Sequence, residues 1–174
     1  MQSALMPFWC KRMEYTHVTH TFGPVYDDAS RILILGSFPS VKSREQQFYY
    51  GHPKNRFWSV LAALFEETPP EQIEEKKAFL LRHRIALWDV IGSCDIVGSS
   101  DSSIRNVEVN DIGRILNEAH IETIYANGGK AYQLFLKYCE KEGMPPVKKL
   151  PSTSPANAAW TFDKLLQAWG EEVK

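Results

Sequence analysis

The run Arg31-Ile32-Leu33-Ile34-Leu35 passes without polar interruption into Gly36-Ser37-Phe38-Pro39-Ser40. Consecutive aliphatic residues leave a strand no hydrophilic face, so this one must be covered on both sides, as in a parallel sheet between helices. Gly36 and Pro39 stop it. The chain re-enters a helix near Lys54 to Arg56, with Trp58, Leu61, Ala62 and Phe65 along one apolar face. The polar and aromatic segment between, Gly36 to Trp58, therefore lies at the carboxyl end of a strand, where open α/β sheets place ligand crevices.

The rest of the chain repeats the alternation. Pro69-Pro70 breaks it, and Glu71 to His83 reads as a charged helix turning Ile73, Phe79 and Leu80 inward. Ile85 to Val90 is a second strand. Gly92 to Ser103, rich in Gly, Ser and Asp, is expected as an irregular loop, with Asn110 capping a helix through Leu116. Ile121 to Ala126 is a third strand, which Asn127-Gly128-Gly129 turns into a helix from Lys130 to about Glu142. Val147 to Leu150 is a fourth strand, and Pro151 to Trp160 leads into a last helix through Trp169. This order predicts one α/β domain over 1–174: a central four-stranded parallel sheet with helices on both faces, joined by right-handed crossovers. Residues 1 to 15 read as an extension without assigned function.

Charge and cysteine content exclude several classes. With 20 basic against 21 acidic residues, bulk charge does not hold this chain to nucleic acid, so any such binding must be local. Cys10, Cys94 and Cys139 are scattered and lack CxxC spacing, which supports neither a disulfide framework nor a cysteine-ligated metal or cluster. No segment approaches a membrane span of roughly eighteen apolar residues, and no secretion signal opens the chain. A cytoplasmic protein with free thiols is expected.

Three loops follow strands one, three and four and should open on one sheet edge: GSFPS with its FYYGHPKN extension, NGGK, and LPSTSPAN. None has nucleotide-triphosphate spacing. NGGK alone is an ordinary strand-to-helix turn, although Lys130 at a helix start could contact phosphate. Asn55 is either a helix cap or a group that holds a water; its amide is no base near neutral pH. Phe48, Tyr49 and Tyr50 cannot all enter one core, so one of them should face the crevice and stack on a planar ligand. His52 before Pro53 is a turn residue or a hydrogen-bond donor, and no second ligand stands at metal spacing, so no metal site is expected. Asp95, Ser99, Asp101 and Ser103 read as turn and cap residues before they read as an acidic catalytic set. Ser37, Ser40, Ser152 and Ser154 form no nucleophile elbow. Lys42, Arg44, Lys54, Arg56, Lys148 and Lys149 could bind phosphates flanking an extruded nucleotide.

The segment YGHPKNRFW, Tyr50 to Trp58, resembles the aromatic-x-H-P-x-N-x-F-W segment of the mismatch-specific branch of the uracil-DNA glycosylase superfamily. GSFPS stands in the place of that superfamily's first motif, NGGKAYQLF resembles its G-K-x-A-Y segment, and LPSTSPAN stands in the place of its second motif. The resemblance spans Pro24 to Trp169. The mismatch-specific enzymes carry G-I-N-P-G, whose Asn positions the attacking water, where this chain has Phe38. The full pattern, GSFPSxxSxxxQxYYxHPxNxFW, is similar instead to the hypoxanthine-DNA glycosylase family.

That resemblance implies a three-layer α/β/α sandwich and hydrolytic removal of hypoxanthine from DNA in base excision repair, by a monomer without cofactor or metal. It implies Asn55 as the catalytic, water-positioning residue. Gly36, Ser37, Phe38, Tyr50 and His52 would bind the flipped base, Tyr50 by stacking. Ser40, Lys130, Pro151, Ser152, Thr153, Ser154, Pro155 and Asn157 would contact DNA. No lysine is asked to form a Schiff base, which implies a monofunctional enzyme. The alternatives are a uracil- or xanthine-directed glycosylase, a non-catalytic DNA-binding module on the same fold, and a small-molecule hydrolase.

Overall fold

The computed structural model describes residues 14–174 and starts with a short strand, β1 (Thr16–Thr19). The expected extension, residues 1–15, lies outside the described residues except for its last two. After β1 come β2 (Ile32–Gly36), two helices, α1 (Val41–Gln46) and α2 (Phe57–Leu64), and a third, α3 (Ile73–Arg82). Then follow β3 (Ile85–Asp89), β4 (Ile91–Ile96), β5 (Arg105–Val109), α4 (Ile112–Glu118), β6 (Thr123–Asn127), α5 (Gly129–Tyr138), β7 (Val147–Leu150) and α6 (Phe162–Val173).

The four strands read from the sequence form one parallel sheet in the order β3-β2-β6-β7. Leu33, Ile34 and Leu35 of β2 are fully buried, as an aliphatic run covered on both faces must be. The chain leaves β2 toward β3 on one side and leaves β6 toward β7 on the other. The crevice of a doubly wound sheet therefore falls between the carboxyl ends of β2 and β6. Of α2, Phe57, Trp58, Val60, Leu61, Ala62 and Leu64 are all buried, and the helix packs on α6 through Leu165 and the fully buried Trp169. Strongly amphipathic α5 lies against β6 and β7.

A second sheet departs from the sequence expectation. Gly92 to Ile96, expected as the start of a Gly/Ser/Asp loop, belongs to strand β4, antiparallel to β1 on one side and to β5 on the other. Its Ile91, Cys94 and Ile96 join the hydrophobic core, and Ser93 is buried with them. Two shorter differences follow. Asn110 does not cap α4, whose cap is Asp111; the Asn110 amide donates instead to the carbonyls of Asp89 and Ile91, tying β3 to β4. The segment Val41–Gln46, expected as loop, is α1, capped by the Ser40 hydroxyl on the Ser43 amide. Among the described residues no helix is long and apolar enough to cross a membrane.

Candidate active site

A cavity of about 310 Å³ opens at the carboxyl end of the parallel sheet. Strand register sets its floor, because Gly36 of β2 lies beside Asp89 of β3. A Cβ on Gly36 would stand 2.3 Å from Asp89 Oδ1 and 3.0 Å from Tyr50 Oη. Glycine is therefore required there so that a carboxylate and a phenol can cross the strand end. Asp89 has no role in the sequence reading beyond its place in the strand Ile85 to Val90, yet its buried side chain lines the cavity. His20, just beyond β1, donates from Nε2 to Asp89 Oδ2 at 2.8 Å, with side chains only 2% and 5% exposed. The imidazole is held by the rings of Phe22, Phe38 and Tyr49.

The three consecutive aromatics divide as the sequence requires. Phe48 and Tyr49 are buried, Phe48 against Trp58 and Tyr49 with its hydroxyl on the Gly23 carbonyl. Tyr50 takes a left-handed conformation, φ 53°, which costs a non-glycine residue about 1–2 kcal/mol. Its ring stacks on Phe57 at 3.9 Å, so at most one ring face is left for a planar ligand. Its hydroxyl is buried and has no hydrogen-bond partner among the described residues. Burial and the nearby Asp89 carboxylate push this phenol far above its ordinary range, so it stays protonated.

Asn55 precedes the cap of α2, which is Arg56, and lies on the cavity wall. Its Oδ1 accepts from the Phe57 amide at 3.0 Å, closing the first turn of α2, and also from the Thr153 hydroxyl at 2.9 Å. Thr153 Oγ1 in turn accepts from Asn127 Nδ2 at 3.0 Å, and Asn127 Oδ1 accepts from the Thr153 amide at 3.1 Å. Backbone N–H groups at both ends fix which atom of each amide is oxygen, so the relay has one direction. With Oδ1 taken twice, Asn55 presents Nδ2, which makes no hydrogen bond among the described residues, on the cavity wall. It is a fixed donor, with no free acceptor.

The facing wall is the loop 151–160. Trp169 of α6 donates from its indole to the Pro151 carbonyl at 3.0 Å, and Arg56 gathers the carbonyls of Thr153, Ser154, Asn157 and Trp160. Arg56, expected among phosphate ligands, is thus spent on the loop. Thr153, expected to reach DNA, is fully buried and faces Asn55. Ser152, Ser154 and Pro155 line the cavity, whereas Pro151 and Asn157 border an adjoining depression together with Ser152 and Trp160.

Gly36, Ser37, Phe38, Ser40, Tyr50, His52 and Asn55 all lie on the one cavity. Lys130 does not; it lines a separate surface depression with Arg105 and Lys137. His52 Nδ1 accepts from the Lys54 amide at 3.1 Å, so Nε2 carries the proton and is the nitrogen left to donate. Ser37 donates to Asp101 Oδ1 at 3.1 Å. Desolvation raises the Asp101 carboxyl above the usual range, offset in part by Ser37 and Lys130, and its outer side keeps contact with solvent at the rim. Asp95 and Ser103 lie elsewhere: Asp95 takes bonds from His17 and Asn106, and Ser103 closes a turn onto Ser100. Of the other basic candidates, Lys42 pairs with Glu45, Lys148 pairs with Glu172, and Arg44 donates to the Gly98 carbonyl. Lys54 and Lys149 make no ion pair among the described residues.

A parallel sheet whose strand-end loops enclose a cavity, with a pinned amide on its wall and a buried aspartate on its floor, defines an α/β protein that takes its ligand at the carboxyl edge of the sheet. The family model described as Uracil DNA glycosylase superfamily matches residues 24–172, and the chain belongs to that superfamily. Two curated proteins named hypoxanthine DNA glycosylase are similar to it. One, from Methanosarcina acetivorans, is 39% identical over 147 residues, covering 82% of this chain and 90% of the relative. The other, from Methanosarcina barkeri, is 32% identical over 157 residues, covering 88% and 96%. The solution structure of a Methanosarcina acetivorans protein assigned provisionally to uracil DNA glycosylase superimposes with a TM-score of 0.74 at 33% identity. It covers 87% of this chain and 94% of that one.

Proposed function

We propose that this chain, acting as one glycosylase domain and as a monomer, hydrolyses the N-glycosidic bond of hypoxanthine in DNA and leaves an abasic site. The observation that carries the reading is the Asn127–Thr153–Asn55 relay, which fixes an amide donor on the wall of a cavity framed by the superfamily's motif positions. The names of the two curated relatives support hypoxanthine as the base.

The nucleotide flips out of the helix, at least cost where its base is mispaired, and the base enters the cavity. There the free face of Tyr50, Ser37, Phe38 and His52 surround it. Loop 151–160, held rigid by Arg56 and Trp169, lies against the strand, with Ser40, Ser152 and Ser154 near phosphates. As the C1′–N9 bond breaks, its electron pair leaves with the purine and C1′ gains oxocarbenium character. Asn55 Nδ2 donates to a water and holds it for attack on C1′; the water's oxygen bonds to C1′, and the displaced proton passes to solvent. Because departure of the base runs ahead of attack, a placed water suffices and no strong base is needed.

The test is an excision assay on labelled duplexes containing deoxyinosine, deoxyuridine or deoxyxanthosine, followed by cleavage at abasic sites. Wild type should release hypoxanthine fastest. Asn55→Ala should lose release while keeping duplex binding. No product from any duplex contradicts the glycosylase reading, faster release of uracil or xanthine contradicts the choice of base, and unchanged release by Asn55→Ala contradicts the role of Asn55.

A further inference from the structure

The relay accounts for Asn55, but the deepest polar groups of the cavity have no part in it. Asp89 and His20 form a pair nearly sealed from solvent, on a residue at the end of β3 that strand formation alone does not require to be charged. Oδ2 is occupied by His20, while Oδ1 accepts no hydrogen bond from any described residue and lies, with the unpartnered Tyr50 hydroxyl, at the strand end under Gly36. A carboxylate oxygen that opens on a cavity and has no protein donor is free to accept a hydrogen bond from a ligand. The buried Tyr50 hydroxyl has no partner among the described residues, and beside it Asp89 Oδ1 opens on the cavity with no protein donor, so a ligand can complete both.

Depth decides which part of a purine could do so. Asn55, on the more open wall, is partly exposed, whereas Asp89 is buried beneath it. A base attached through N9 to a sugar outside the cavity presents its opposite edge, N1 and the C6 substituent, to the floor. In hypoxanthine N1 carries a hydrogen and O6 is an acceptor; in adenine N1 is an acceptor and the C6 amino group is a donor. A carboxylate oxygen facing N1 attracts the N1 hydrogen of hypoxanthine and repels the N1 lone pair of adenine.

We propose that Asp89, oriented by His20, is the specificity-determining residue of this site, accepting a hydrogen bond from the N1–H of the deaminated purine and so excluding adenine. The inference rests on the glycosylase reading above. His20 adds a second restriction: by turning Oδ2 away from the cavity it leaves one carboxylate oxygen, enough for N1–H but not for the paired N1–H and amino donors of guanine. Gly36 is part of the same device, since any side chain there would displace Oδ1.

Single-turnover release is measured for deoxyinosine and deoxyadenosine in the same mispaired duplex context, with wild type and Asp89→Asn. In the variant the amide oxygen turns to the His20 N–H, so its NH₂ faces the cavity and the polarity of the floor is reversed. The ratio of deoxyinosine to deoxyadenosine release should fall by about 100-fold or more, since a site built around one hydrogen-bond pattern rejects the reverse strongly. If wild type releases no hypoxanthine, the glycosylase reading fails; if it does and the ratio is unchanged in Asp89→Asn, that reading stands and the role of Asp89 is overturned. Should Asp89→Asn not fold, wild type with 2′-deoxy-1-methylinosine decides. Loss of release supports a floor that contacts N1, and release at the deoxyinosine rate overturns it.

Discussion

Thr153→Val tests the relay without changing the volume of the side chain. The hydroxyl donates to Asn55 Oδ1 at 2.9 Å and accepts from Asn127 Nδ2 at 3.0 Å, and the residue is fully buried. Valine removes both bonds and leaves the Asn127 amide hydrogen unpaired in a place water reaches poorly. Two net hydrogen bonds at about 1 kcal/mol each, plus part of a desolvation penalty, give about 2–3 kcal/mol of lost stability. For a chain of this size that lowers Tm by roughly 4–12 °C. Asn55 keeps its bond to the Phe57 amide but loses the second anchor, so its amide can swing and hydrogen-bond in more than one direction. A misplaced water should lower single-turnover excision by about 10- to 100-fold. Thr153→Ser keeps the hydroxyl and should stay close to wild type in rate. The pair is assayed by calorimetry and by single-turnover release from a deoxyinosine duplex. If Thr153→Val retains both Tm and rate, the hydroxyl does not position Asn55 and the relay has no role in the reaction.

Other perturbations test neighbouring parts of the account. Gly36→Ala puts a Cβ 2.3 Å from an Asp89 oxygen that His20 holds in place, so excision should fall by about 10-fold or more while duplex binding persists, measured by gel shift beside the release assay. Glu67 is held below the usual carboxylate range, first by Arg82 and then by His83, so its contribution is present above the ordinary Glu pKa and is lost as pH falls through the lowered value. Melting curves of Glu67→Gln from neutral to acid pH should therefore converge on wild type at the acid end, and parallel curves would contradict this. Burial pushes the Cys94 thiol up to about 11, so iodoacetamide at neutral pH should leave Cys94 unlabelled in the folded protein and label it after denaturation, as read by peptide mass spectrometry.

The parallel sheet was legible because β2, β3 and β6 are buried and read as apolar runs, to which the short edge strand β7, with Lys148 and Lys149 exposed, adds by its place in the alternation; the second sheet was not. Thr16–Thr19, Ile91–Ile96 and Arg105–Val109 hold Thr, Gly, Ser, Asp, Arg and Glu, and only their mutual pairing makes them strands. Asn55 was legible through the H-P-x-N turn, but its orientation depends on Thr153, a residue 98 positions away in the chain. Thr153 itself read as a loop residue bound for DNA because nothing local shows that it points inward. Asp89 and His20 went unnoticed for a related reason: a charge closing an apolar run looks like a strand boundary. The available signal was positional, since Asp89 ends β3 where Gly36 ends β2, on the edge where the crevice lies.

The central claim is hydrolytic release of an intact base, and the most direct measurement detects both products at once. A duplex with one deoxyinosine is incubated with the protein, the freed base is identified by mass spectrometry, and the strand is sized before and after hot alkali. Free hypoxanthine equal in amount to the abasic sites, on a strand that breaks only after alkali, is the predicted result. No free base, or a strand cut before alkali, would contradict it.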